Sequence, residues 1–313
     1  MKQTRKNFLK KLFLTIGAGL TSNFVLTKDV EASSVRLNFK PTPHLWQSNQ
    51  INISWIGHST ILINFFGKII LTDPVFFERI GIYFFGASIG PTRLTPPAIS
   101  VDEIPKPDLI LLSHAHMDHT DYPSLKAITK RFPNQIDVVV AHLTKDVIDD
   151  LEWKTISVLD WGDEKFFDGI KIKAFEVEHF GWRFPWEKDR SRGYFIDGRS
   201  YNAYLIEHQE KKILFAGDTR YTSKLNVLKD ENIDVALMPI GAYNPWRRAH
   251  CNPEEALKMA DEINSKYIIP MHCKTFAQGQ EPFNEPIDWL KKSSVNYKVK
   301  VAIDEIGMTF TLV

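Results

Sequence analysis

Three imidazoles and one carboxylate crowd into the six residues His114-Ala115-His116-Met117-Asp118-His119, directly after the apolar run Leu109-Ile110-Leu111-Leu112 and Ser113. Neutral imidazole and carboxylate are good ligands for Zn²⁺ and similar ions. The end of a buried strand lets several of them converge without a long loop having to be ordered. A solvated polar turn is the plain alternative, but such a turn has no need of three histidines at this spacing. More candidates stand at the ends of other apolar runs. His179 follows Ile170–Val177, Asp218 follows Ile213-Leu214-Phe215-Ala216-Gly217, and His272 follows Tyr267-Ile268-Ile269-Pro270-Met271. If these ends share one edge of a sheet, five His and two Asp meet there, enough for two metal ions with positions left open for water.

The elements that must place these groups read as alternating strands and helices. Strands are expected at Ile51–Trp55, Thr60–Phe65 and Lys68–Leu71, the last two separated by Phe66-Gly67 at hairpin length. Phe76 to Gly90 reads as an aromatic, Gly-containing loop, and Pro91, Pro96 and Pro97 keep the next segment irregular. Leu109–Ser113 is a strand, Tyr122–Phe132 a helix, and Asp137–Ala141 and Ile170–Val177 strands. Ala203–Glu207 and Lys212–Phe215 form a second hairpin, followed by a strand at Val235–Met238. Asn252-Pro253-Glu254-Glu255 starts a helix, with Asn as cap, Pro at the first position and acids in the first turn. Tyr267–Ile269, Val299–Ile303 and Met308–Leu312 read as strands and Pro286–Lys292 as a short helix. Hairpins in both halves favour a layered α/β sandwich over a doubly wound sheet.

The order His-x-His-x-Asp-His, isolated His, Gly-Asp-Thr, C-terminal His resembles the metallo-β-lactamase superfamily over residues 114 to 272. The resemblance implies an α/β fold of the four-layer αββα sandwich type, with a dinuclear metal site at one edge of the sheets. His114, His116 and His179 would hold one ion, Asp118, His119 and His272 the other, and Asp218 would bridge them. The ions would be Zn²⁺, with Fe or Mn as alternatives, and would generate hydroxide as the nucleophile. Trp55-Ile56-Gly57-His58-Ser59-Thr60, Gly90-Pro91-Thr92-Arg93-Leu94-Thr95-Pro96-Pro97, Met238-Pro239-Ile240-Gly241-Ala242-Tyr243-Asn244-Pro245 and Asn252-Pro253-Glu254-Glu255-Ala256 look like the branch containing N-acyl-phosphatidylethanolamine-hydrolysing phospholipase D. That implies a phosphodiesterase acting on N-acyl-phosphatidylethanolamine-like lipids; a lactone or amide hydrolase on the same metals is the alternative. Phe180-Gly181-Trp182-Arg183, and the stretch from Phe184 to Arg199, depart from that branch.

Around this set, Asp118 is expected to orient the nucleophile as well as bind metal. His250 either acts near the leaving group or is a surface histidine ahead of a helix cap. His58 and Asp73 are expected to support the ligands by hydrogen bonds. The apolar positions Phe76, Phe77, Ile80, Ile82, Tyr83, Phe84 and Phe85 would meet acyl chains or a membrane, or else pack beneath the sandwich or against another subunit. Trp182, Phe184 and Trp186 beside His179 carry the same two readings. Cys251 and Cys273 read as small buried hydrophobes, with a bridge as the alternative.

The chain of 313 residues has 43% hydrophobic and 25% charged content, ordinary for a globular protein. Lys2, Arg5, Lys6, Lys10 and Lys11 precede an apolar run from Leu12 to Leu20, and Val30-Glu31-Ala32 offers a cleavage context. Residues 1–32 thus read as a signal-like leader, implying export and an extracytoplasmic, membrane-associated enzyme, with an uncleaved anchor as the alternative. Residues 33–313 read as one metallo-hydrolase domain carrying 33 basic and 36 acidic groups. That balance lacks the basic excess of a nucleic-acid binder. The expected partners are a lipid-like phosphodiester and peripheral membrane contact, with oligomerisation left open.

Overall fold

Two seven-stranded mixed sheets dominate the computed structural model, which describes residues 35–84, 86–184, 187, 190 and 199–312. The leader expected at residues 1–32, Phe85, Trp186 and most of the stretch between Phe184 and Arg199 lie outside the described residues. The strands of the first sheet are β1 (Ile51–Gly57), β2 (Thr60–Phe65), β3 (Lys68–Thr72), β6 (Leu109–Leu112), β7 (Asp137–Ala141), β8 (Thr155–Leu159) and β16 (Thr309–Leu312). They lie in the order β16-β1-β2-β3-β6-β7-β8. The second sheet comprises β9 (Glu164–Phe167), β10 (Ile170–Phe175), β11 (Ala203–His208), β12 (Lys211–Phe215), β13 (Val235–Pro239), β14 (Tyr267–Met271) and β15 (Lys300–Val301). Its order is β15-β14-β13-β12-β11-β10-β9.

The pleat explains the apolar runs. In β6, Leu109 and Leu111 face the other sheet, whereas Ile110 and Leu112 pack with Leu125 and Ile128 of helix α1 (Tyr122–Arg131). A strand covered on both faces reads as continuous apolar sequence. On the far side, Ala256, Leu257, Met259 and Ala260 of Pro253–Glu262 and Ile287 and Leu290 of Glu285–Ser294 join the core of the second sheet. The layers are therefore helix, sheet, sheet, helices, the αββα sandwich. The Asn252 cap is in place, its side chain accepting from Glu255 N at 2.8 Å while Glu255 Oε2 accepts from Asn252 N at 3.0 Å.

Several local expectations change. Phe76–Gly90 is not all loop, because Ile82–Phe84 (β4) pairs with Ala87–Ile89 (β5) as a hairpin. β8 and β9, each at a sheet edge, were not expected at all. Of Val299–Ile303 only Lys300 and Val301 pair, and the last two strands enter different sheets. Among the described residues no helix is long and apolar enough to cross a membrane.

Candidate metal centre

Every candidate ligand hangs from the carboxyl end of a strand, the edge where open α/β sheets gather their ligands. The loop after β6 carries His114, His116, Asp118 and His119. It is wound tight by Thr120 Oγ1 donating to His114 O at 2.6 Å and His119 N to His116 O at 3.1 Å. Asp121 then caps α1 through Ser124 N. His179 follows β10, Asp218 follows β12 and His272 follows β14. Gly217, at φ +60°, lets the Asp218 turn lie on the first sheet, since a Cβ there would sit 2.7 Å from Ser113 Cβ. Thr219 then fastens the neighbouring turn, accepting from Glu178 N at 3.0 Å.

The seven groups, joined by His58, converge into two clusters whose candidate ligand atoms lie within 4.8 Å of one another, His114/His116/His179/Asp218 and His58/Asp118/His119/His272. In the first, His116 Nδ1 lies 2.8 Å from His114 Nε2 and 3.3 Å from His179 Nε2. Burial pushes His114 well below the usual imidazole range, His116 down to about 4 and His179 to about 3. All three are neutral rings whose nitrogens face one another at 2.8 and 3.3 Å, an arrangement in which each can turn a lone pair on a cation placed between them. In the second, Asp218 Oδ2 lies 3.0 Å from both His119 Nε2 and His272 Nε2, and Asp118 Oδ2 lies 3.4 and 3.3 Å from the same two atoms. Burial works against charge on His119 and His272. The carboxylates of Asp218 and Asp118 outweigh it, raising His119 well above the usual range and His272 to about 9.

The tautomers are set from behind. His119 Nδ1 donates to Asp73 Oδ2 at 2.6 Å, and His179 Nδ1 donates to Ala249 O at 3.0 Å, which leaves both Nε2 atoms facing the centre. His114 Nδ1 lies 2.9 Å from Ser113 Oγ, which donates to the same Asp73 oxygen at 2.5 Å. One buried carboxylate therefore braces a ligand in each cluster, the supporting role expected of Asp73. His58 also supports, its Nε2 lying 3.0 Å from Asp118 Oδ2. Among the described residues, His119 Nε2 and both Asp218 oxygens, at the centre, are buried without a well-formed hydrogen bond. Unpaired buried donors and acceptors are costly, so the residues fit a bound divalent cation.

His250 is not the surface histidine that one reading allowed. It is buried, its ring stacks 5.0 Å from His272, and its Nδ1 lies 3.8 Å from Asp218 Oδ2. Burial pushes it down to about 3, so the ring is neutral. Phe180 and Trp182 wall His116, with ring centroids at 4.5 and 6.1 Å. Cys251 and Cys273 are both free and buried, so no bridge forms. Two contributors were not among the expected site residues. Arg183 Nη1 donates to Ala115 O at 2.8 Å and Thr120 O at 2.9 Å, strapping the histidine loop. Gln278 reaches Asp118 from the far side. An Arg beside the isolated His hinted at the first; nothing in the polar run Gln278-Gly279-Gln280-Glu281 marked the second.

A family model described as a beta-lactamase superfamily domain matches residues 68–273, two-thirds of the chain and nearly all of the centre. The chain belongs to the metallo-β-lactamase superfamily. An uncharacterised protein of Mycobacterium tuberculosis is 30% identical over 272 residues, covering 84% of this chain and 69% of the relative. N-acyl-phosphatidylethanolamine-hydrolyzing phospholipase D 1 of Caenorhabditis elegans is 29% identical over 254 residues, covering 76% and 68%. The mitochondrial enzyme of that name from Saccharomyces cerevisiae is 30% identical over 82% of this chain but 55% of its own length. The isothiocyanate hydrolase from Delia radicum gut bacteria shares the fold at TM-score 0.64 and 18% identity, covering 83% of this chain and 98% of that one. This superfamily member is a metal-dependent hydrolase.

Proposed function

We propose that this hydrolase is a phosphodiesterase of the phospholipase D type, cleaving lipids like N-acyl-phosphatidylethanolamine. The observation that carries the reading is the likeness, near 30% identity, to two enzymes named for that reaction, across a chain whose candidate ligands converge. In this reading His114, His116 and His179 hold one divalent ion, Asp118, His119 and His272 a second, and Asp218 is shared. The ions, Zn²⁺ in the first instance, would supply a water of lowered pKa and neutralise charge on the phosphoryl group.

The chain's own groups do the rest. Asp118, held well below the usual carboxylate range despite burial because His119 outweighs it, stays ionised and accepts a hydrogen bond that orients the attacking water. His250, buried and neutral with an Nδ1 that lacks a well-formed hydrogen bond and lies 3.8 Å from Asp218 Oδ2, is placed to make a hydrogen bond near the leaving group. A cleft of about 320 Å³ lined by Ile82, Tyr83, Met117, Tyr122, Arg183 and Phe184 opens beside Met117 of the histidine loop. The apolar segment around it divides. Phe76 and Ile80 pack inside, whereas Phe77, Ile82 and Ile89 are exposed and available to acyl chains or a membrane surface. The basic, then apolar, leader supports export, and cell fractionation with an antibody to the full chain checks that part.

Purified protein assayed on N-acyl-phosphatidylethanolamine, bis(p-nitrophenyl) phosphate and a lactone tests the reading. Lipid turnover abolished by His116→Ala is the expected result. Lactone turnover without phosphodiester cleavage would replace it with the lactone-hydrolase alternative.

A further inference from the structure

Asp118 Oδ2 receives two contacts from outside the seven candidate ligands. One is from His58. The other is from Gln278, whose Nε2 donates to it at 2.5 Å. The segment that bears Gln278 is strapped down along its length, so the contact is built into the fold. Thr95 Oγ1 donates to Lys274 O at 2.5 Å, Leu94 N to Thr275 O at 2.7 Å, and His58 N to Thr275 Oγ1 at 2.6 Å. Phe276 is buried, with its ring 5.4 Å from that of His58 and the Arg93 guanidinium 4.9 Å above it. On the opposite side Trp246 Nε1 donates to Gln278 O at 3.2 Å and Gln280 N to Asn244 O at 2.7 Å, tying the segment to the one that ends in His250.

We infer that Gln278 is a positioning residue for one of the two clusters. Its amide pins Asp118 Oδ2 among His119 Nε2 and His272 Nε2, and it has no contact with the His114/His116/His179 cluster among those the structure gives. The inference rests on the metal-centre reading and assigns Gln278 an asymmetric role within it. Without Gln278, Asp118 Oδ2 keeps His58 at 3.0 Å and only the longer contacts from His272 at 3.3 Å and His119 at 3.4 Å, so the carboxylate is less tightly fixed about its Cβ–Cγ bond. The cluster containing Asp118 then loses preorganisation while the other keeps its three rings. Partners of this kind typically change metal affinity by about 10–100-fold.

Titration of the metal-free full chain with Co²⁺, followed by calorimetry and by the visible Co²⁺ spectrum, tests this. Wild type is expected to bind two ions. In Gln278→Met one of the two is weakened by about tenfold or more, its spectral band shifts, and the other is unchanged. The weakened site persists when His116→Ala is added, which places it in the Asp118 cluster. With bis(p-nitrophenyl) phosphate, kcat falls and KM holds. The melting temperature of the metal-free protein is the folding control, and if the Met variant fails it, Gln278→Ser carries the same titration. Unchanged affinities, or equal weakening of both sites, overturn the role of Gln278 alone. A wild type that takes up no Co²⁺ overturns the metal centre, and Gln278's role with it.

Discussion

The two sheets are built alike and used differently. Each runs through three antiparallel pairings and then three parallel ones, from β16 to β8 in the first and from β9 to β15 in the second. The first sheet delivers four candidate ligands in one turn after β6. The second delivers His179, Asp218 and His272 singly, from three strand ends. A local cluster depends on the winding of one loop, braced by Arg183 and Asp73. A distributed set depends on the register of a whole sheet. The first is preorganised by hydrogen bonds onto one short loop, the second by packing.

Substitutions break or sharpen that contrast. Asp218→Ala removes a member of the first cluster that also lies 3.0 Å from His119 and His272 of the second, and kcat/KM on bis(p-nitrophenyl) phosphate should drop by more than roughly 100-fold, beyond what loss of a supporting residue costs. His116→Ala and His272→Ala each strip one cluster, from opposite halves; elemental analysis should find about one ion in place of two in each variant. If either variant loses both ions, the clusters are not separable and the contrast fails. Asp73→Asn keeps the side chain's shape but no longer accepts equally well from His119 and Ser113, so affinity at both sites should weaken by roughly 10–100-fold, measured by competition with a chelator. The smallest effect on activity is expected from the core. Leu111→Ala and Leu237→Ala, buried in opposite sheets, should each cost about 2–5 kcal/mol in urea unfolding while the metal content of the folded fraction holds. A loss of metal confined to Leu237→Ala would show the second set to be the more dependent on packing.

Legibility in the sequence divides along the same line. The His114–His119 run stands out because its chemistry is local, and the doubly covered strands β6 and β7 stand out because both faces are apolar. The cap at Asn252 is likewise local. The edge strands β8 and β9 escaped notice because edge strands are only half buried, as Thr155-Ile156-Ser157-Val158-Leu159 shows. A signal for β9 was there. Asp168-Gly169, with φ of +48° and +88°, is a strong hairpin turn. Gln278, the contacts of Arg183 and the burial of His250 were out of reach, because each depends on which loops meet at the sheet edge and polar loop residues look the same whether or not they are aimed inward.

The central claim is that scattered imidazoles and carboxylates form one dinuclear centre. Elemental analysis of the purified full chain after gentle preparation tests it most directly. The account predicts two divalent ions per chain, with Asp218→Ala holding neither tightly. A wild-type protein free of zinc, iron and manganese, and unable to take up any of them, would contradict it.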